Sequence, residues 1–102
     1  MNAVKQINVK DLKTLIHSGK IIKIIDVRTE EEREEVKIEN TLHVPLDELP
    51  HRINTFSKDD EIYFHCKSGK RSALACTVFT QAGFQNISNV IGGISAWQSE
   101  NQ

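Results

Sequence analysis

Ile62-Tyr63-Phe64-His65-Cys66-Lys67-Ser68-Gly69-Lys70-Arg71-Ser72 runs from an apolar triplet, through a cysteine, into a basic loop that contains a glycine. The triplet suits a buried strand, predicted over Glu61 to His65. From Ser72 to Ala82 the pattern turns helical, with Leu74, Ala75, Val78, Phe79 and Ala82 as the expected buried face and Gly83 as the stop. A cysteine therefore stands where a strand ends and a helix begins. The first N–H groups of a helix lack intrahelical partners and carry partial positive charge. Lys67, Lys70 and Arg71 add full charges. Gly69 allows a tight turn that bares the backbone amides, and Ser68 offers a hydroxyl. Such a loop binds an anion and favours a thiolate over a thiol. Cys66 is thus expected to have a depressed pKa and to act as the nucleophile, with Lys67, Ser68, Gly69, Lys70 and Arg71 as the substrate-binding loop.

Upstream, Asn8 reads as the N-cap of a helix carrying Val9, Leu12, Leu15 and Ile16 at helical spacing, ended by Gly19. Ile21 to Ile25 is mostly β-branched, as a strand buried on both faces should be. It leads into Asp26-Val27-Arg28, where a buried charge needs a partner. Asp26 is expected to meet a basic group or loop amides near Arg71 and, with Arg28, to support the loop. Thr29 and Glu32 form a capping-box pair for a short acidic helix, whose glutamates read as a solvated face. Leu42-His43-Val44 reads as a short strand and Leu46 to Phe56 as a helix capped by Asp47. Ile87 to Ile91 is the last strand, and Ile94 to Ser99 follows Gly92-Gly93 as a closing helix. Strands alternating with helices signal an α/β fold, a mostly parallel sheet with helices on both faces. Ligands of such sheets bind beyond the carboxyl ends of the strands, where Cys66 falls.

A chain of 102 residues fits a single domain, residues 1–102, with an expected core of about 7–98 and flexible termini. The net charge of −1 gives no general attraction to nucleic acid or an anionic membrane. Two cysteines make no disulfide framework, and the start, Met1 to Gln6, has no apolar signal region, so a reducing cytoplasm is expected. Cys76 lies mid-helix among apolar residues and reads as packing. His65 precedes the nucleophile, but strand neighbours point to opposite faces, which favours a structural role. His17, His43 and His51 have no metal-ligand spacing with the cysteines, so no metal is expected.

Four segments together resemble a single-domain rhodanese: Ile25-Asp26-Val27-Arg28, Val44-Pro45-Leu46, Cys66 to Ser72, and Gly92-Gly93-Ile94-Ser95-Ala96-Trp97. The resemblance spans about Ile7 to Gln98, and the order and spacing of the four motifs make it specific. It implies a five-stranded parallel sheet flanked by helices. It also implies sulfur transfer from a donor such as thiosulfate to cyanide, a thiol or a protein, through a persulfide on Cys66 and without a cofactor. Gly92, Gly93 and Trp97 match the family's Gly-Gly-x-x-x-Trp and read as turn and core residues. One segment departs. Where the family often has Gly-His-Ile-x-Gly-Ala, this chain has Val36-Lys37-Ile38-Glu39-Asn40-Thr41, so the local turn is expected to differ. Two alternatives remain open. A phosphatase or arsenate reductase of the same architecture would use Cys-x5-Arg, whereas only Lys67 to Lys70 separate Cys66 from Arg71. A binding module without turnover is the other. Expected partners are a small anionic sulfur donor and a sulfur-carrier or cysteine-desulfurase protein, with the chain itself a monomer.

Overall fold

The computed structural model describes residues 4–100. The termini at 1–3 and 101–102, expected to be flexible, lie outside the described residues. Five strands, β1 (Lys5–Ile7), β2 (Lys23–Asp26), β3 (Leu42–His43), β4 (Ile62–His65) and β5 (Ile87–Val90), form one sheet in the order β1-β5-β4-β2-β3. Every pairing is parallel. The helices are α1 (Val9–His17), α2 (Glu30–Glu35), α3 (Leu49–Arg52), α4 (Lys70–Gln81) and α5 (Gly93–Glu100). Ordered elements thus reach past the expected core of 7–98 at both ends.

The alternation of side chains along β4 divides the core in two. Ile62, Phe64 and Cys66 join the cluster that contains Ala75, Cys76 and Phe79 of α4 and Leu49 of α3. Tyr63 joins the opposite cluster, with Val9 and Leu12 of α1, Val90, and the partly buried Trp97 of α5. Both faces of the sheet are therefore covered by helices, as its apolar central strand requires. The edge strands β1 and β3 have only three and two residues, which leaves little open ladder for mispairing.

Chain order sets the position of the site. After β2 the chain steps outward to β3, then returns to place β4 on the other side of β2. The carboxyl ends of β2 and β4 therefore flank the point where the winding reverses, the crevice in which such sheets bind ligands. Asp26 ends β2 beside His65, its register partner in β4. Cys66 is the next residue.

Several local expectations need correction. Lys23 pairs with Ile62, the first residue of β4, so Ile21 has no ladder position and is 92% exposed. Leu74 faces outward from α4 and is 55% exposed, while Ala75, Cys76 and Phe79 carry the buried face. The helix expected over Leu46 to Phe56 splits into a 3-10 turn at Leu46–Glu48, the short α3, and a second 3-10 turn at Ile53–Thr55. Pro50 is the physical reason: it has no N–H to donate to the carbonyl of Leu46. Pro45, not Asp47, takes the cap position, and its side chain makes no cap bond. The expected caps Asn8 and Thr29 form, the latter as a full capping box with Glu32. In the departing segment, Asn40 adopts φ +64°, a left-handed conformation that asparagine tolerates where the family has glycine. Ile38 and Thr41 are buried on either side of it.

Candidate active site

The loop of residues 66–69 joins β4 to α4, and Gly69 closes it at φ +104°. That left-handed conformation points the Gly69 N–H back at Cys66, 3.1 Å from Sγ. Ser72, in the first turn of α4, places its Oγ 3.4 Å from the same sulfur. Burial of Cys66 pushes its pKa up. The Ser72 hydroxyl and the N–H groups of Ser72, Gly69 and Ser68 pull it down, and the net result lies below the ordinary thiol value. The groups that converge on Sγ are thus backbone N–H donors and one hydroxyl, whose single proton is also within reach of Asn89 Oδ1. Lys67 and Lys70 are exposed at the rim.

The carbonyls of the same loop point the other way and are bound by α5. Ile94 N–H donates to the Cys66 carbonyl at 2.9 Å, and Ser95 N–H donates to that of Lys67 at 3.2 Å. Gly93 makes this approach possible. It has φ +54°, and a Cβ there would overlap the Cys66 carbonyl and stand 2.8 Å from the Lys67 carbonyl carbon and oxygen. Gly92 and Gly93 are therefore turn residues that seat α5 under the loop, and Trp97 packs in the core.

Arg71 does not meet Asp26. Its guanidinium grips Glu32 of α2 with two hydrogen bonds, at 2.7 and 2.8 Å. That bond to Arg71 chiefly holds the Glu32 carboxyl down, at about 2. Asp26 instead binds Arg28 through both oxygens and Arg33 through Oδ2. Burial pushes Asp26 up, but the hydrogen bonds of Arg28 and the charges of His65 and Arg28 leave its pKa lowered. Arg28 and Arg33 then reach the carbonyls of Val36 and Thr41 and so fix the turn that departs from the family pattern. Asp26 and Arg28 support the β2–α2 connection, and Asp26 also faces His65, the residue before Cys66, at 4.0 Å.

His65 is fully buried, and its Nδ1 is 3.4 Å from the Cys66 carbonyl, not from Sγ. Burial outweighs the pull of Asp26 and lowers its pKa. Cys76 is buried in α4 with its thiol pushed up to about 12. Among the described residues no group of histidine, cysteine and carboxylate side chains could hold a metal ion. Nor is any helix there long and apolar enough to cross a membrane.

Three residues of the site escaped the sequence reading. Glu32 looked like a capping acid, and it is one, but its partner Arg71 lies 39 residues away, beyond any local spacing. Ser72 reads in the sequence only as the start of the α4 pattern. Asn89 interrupts β5, and a buried asparagine in a strand is a signal that could have been followed.

The fold and this loop define a class, and comparison with known proteins gives the same one. Residues 8–100 match the rhodanese-like domain family, and the chain belongs to it. It is 36% identical over 97 residues to YtwF of Bacillus subtilis, whose name assigns it to the sulfurtransferases, covering 95% of this chain and 93% of that protein. Against YrkF of the same organism, whose name describes a sulfur carrier, it is 33% identical over 101 residues but spans only 55% of the relative's length. A rhodanese-like domain protein from Staphylococcus aureus superposes with a TM-score of 0.87 at 35% identity, over 92% of this chain and 91% of that one. This kinship places the chain with the sulfurtransferases.

Proposed function

We propose that the chain carries sulfur on Cys66 from a small anionic donor such as thiosulfate to a thiophilic acceptor. The observation behind this reading is the Cys66 sulfur seated among the Gly69 N–H, its neighbouring amides and the Ser72 hydroxyl. A thiolate in that seat attacks the outer sulfur of thiosulfate. The new S–S bond forms as the S–S bond of the donor breaks, and sulfite leaves with the electron pair. Cys66 then holds a persulfide whose outer sulfur carries the negative charge. Amides aimed at developing charge stabilise it more than flexible lysines do, because they need no reorganisation. Lys67 and Lys70 gather the anionic donor at the rim. An acceptor, cyanide or a thiolate, takes the outer sulfur and returns the Cys66 thiolate. Two half-reactions through a covalent intermediate give ping-pong kinetics, and no cofactor enters either.

The loop length favours sulfur over phosphorus. Four residues, Lys67 to Lys70, separate Cys66 from Arg71. Arg71 is further committed to Glu32 and is not free to close around a phosphoryl group. A protein acceptor or donor, a sulfur carrier or a cysteine desulfurase, is consistent with the kinship to YrkF. Two buried free thiols suit a reducing compartment such as the cytoplasm, and one loop from one chain suits a monomer.

Intact-mass measurement after thiosulfate treatment tests the proposal. We expect one added sulfur atom on the wild type, removed by cyanide, and none on Cys66→Ser. No adduct on the wild type would favour a binding module. Hydrolysis of an aryl phosphate that is lost in Cys66→Ser would favour a phosphatase.

A further inference from the structure

Behind Ser72 lies Asn89 of β5, a buried side chain whose carboxamide has a fixed orientation. Its Nδ2 is 3.1 Å from the Gly69 carbonyl and 3.1 Å from Oε1 of Gln6. A backbone carbonyl only accepts, so Nδ2 must donate there and Oδ1 must face the other way. On that side stands the Ser72 Oγ, at 2.5 Å. An amide oxygen cannot donate, so the single Ser72 hydroxyl proton lies on this contact. Ser72 Oγ also stands 3.4 Å from the Cys66 sulfur, a second acceptor for the same proton; while that proton lies on Oδ1, Ser72 turns a lone pair towards the sulfur. A thiol satisfies the arrangement: Cys66 S–H donates to Ser72, and Ser72 donates to Asn89. A thiolate does not, because it would be an acceptor facing an acceptor.

We propose that Asn89 is a positioning residue that competes with Cys66 for the one Ser72 hydroxyl proton, so that Ser72 switches between the two as the sulfur changes state. When Cys66 ionises, its proton passes to water. The Ser72 hydroxyl rotates from Asn89 Oδ1 to Sγ, and Oδ1 loses its donor. When the persulfide forms, Sγ becomes a neutral divalent sulfur and a poor acceptor, so the hydroxyl returns to Asn89. The charge on the outer sulfur then rests on the loop amides. Asn89 thus makes the empty thiolate costlier than the Gly69 and Ser72 donors alone would leave it, and removes one competitor for sulfur charge once the loop is loaded. The titratable and charged groups of the elements packed around Cys66 are Lys67 and Lys70 in the loop, Arg71 of α4 with Glu32 of α2 upon it, Asp26 of β2 with Arg28 bound to it, and His65 of β4, whose pKa burial lowers. Among the described residues the hydrogen bonds of Ser72 and Asn89 run to none of these.

The inference rests on Cys66 as the nucleophile of the proposed transfer. Its test uses iodoacetamide, which needs no sulfur donor, so the two readings fail separately. The rate of Cys66 alkylation is followed against pH by mass spectrometry in the wild type, Asn89→Ala, Ser72→Ala and the double variant. Asn89→Ala is expected to lower the pH midpoint by about half a unit or more, because Ser72 then donates to the thiolate without a rival. In the Ser72→Ala background the same substitution should leave the midpoint where it is. A midpoint unchanged or raised by Asn89→Ala overturns the proposal, as does a shift that persists undiminished without Ser72. Should Asn89→Ala not fold, the wild type supplies the answer. The 13C resonance of the Asn89 carboxamide should titrate with the Cys66 midpoint, and a resonance that does not move through it overturns the switch.

Discussion

Cys66 and Cys76 are both buried, yet their surroundings push them in opposite directions. Cys66 has donors aimed at its sulfur, whereas Cys76 has apolar neighbours and a thiol pushed up to about 12. At neutral pH, a limiting amount of iodoacetamide should therefore label Cys66 and leave Cys76 untouched until the protein unfolds. Peptide mapping checks this, and equal labelling of the folded protein would contradict the site geometry. A second expectation concerns Glu32. Its carboxyl falls from an ordinary 4.5 to about 2 because Arg71 binds it. A lowered folded pKa means that the contribution is complete above the unfolded value and disappears as pH falls through the folded one. The two side chains are 36% and 28% exposed, which screens the pair to about 1 kcal/mol. The stability gap between wild type and Glu32→Gln should thus be constant above pH 5 or so, shrink from about 4.5 downwards, and close near 2. Urea unfolding across that range measures it, and a gap that widens on acidification would refute the pairing.

At the scale of elements, the site is a joint of three pieces: the β4–α4 loop, the N-terminus of α5 beneath it, and α2 clasping Arg71. Gly93 is where the first two touch. Gly93→Ala would put a methyl group into the Cys66 and Lys67 carbonyls at a φ of +54°. Backbone incompatibility of this kind costs about 2 kcal/mol or more, and here the displaced atoms belong to the sulfur seat. Persulfide yield per folded molecule should therefore drop together with the urea midpoint, a coupling that a remote destabilising substitution would not show. How much of this joint was legible depended on sequence distance. The strand–loop–helix around Cys66, the N-cap at Asn8 and the capping box at Thr29 are local patterns, and they could be read directly. The strand β1 could not, because Lys5-Gln6-Ile7 offers a single apolar residue and gains its ladder only from β5. Pro50 divides the helix around α3 because it has no N–H to donate to the Leu46 carbonyl, which the helical spacing of Leu46, Leu49 and Ile53 does not convey. The Glu32–Arg71 and Ser72–Asn89 contacts join residues that only the folded sheet brings together. Proton counting at Asn89 requires knowing which carbonyl lies opposite its amide.

For the whole molecule, the buried charges of β2 matter more to folding than to chemistry. Asp26 is completely buried, and Arg28 is 2% exposed. Together with Arg33 they connect the end of β2 to α2, to the turn before β3, and to His65 of β4. Removing one partner of such a pair leaves a buried charge uncompensated, at about 3–5 kcal/mol. A domain of this size has only about 5–15 kcal/mol in total, so Asp26→Ala should bring the protein close to its unfolding threshold in water at 25 °C. The sulfur seat should suffer less. Its donors come from Gly69, Ser72 and the neighbouring amides, and Arg71 is held by Glu32 instead of Asp26. In a concentration of osmolyte that keeps the variant folded, Cys66 of Asp26→Ala should form its persulfide with thiosulfate at a rate within a few-fold of the wild type, although its urea midpoint falls steeply. Replacing Arg28 by methionine in the same variant should recover part of the lost stability, since the orphaned charge goes with it. If instead the rate collapses in the fully folded Asp26→Ala protein, Asp26 acts on the loop directly, and the separation of folding charges from sulfur chemistry is wrong.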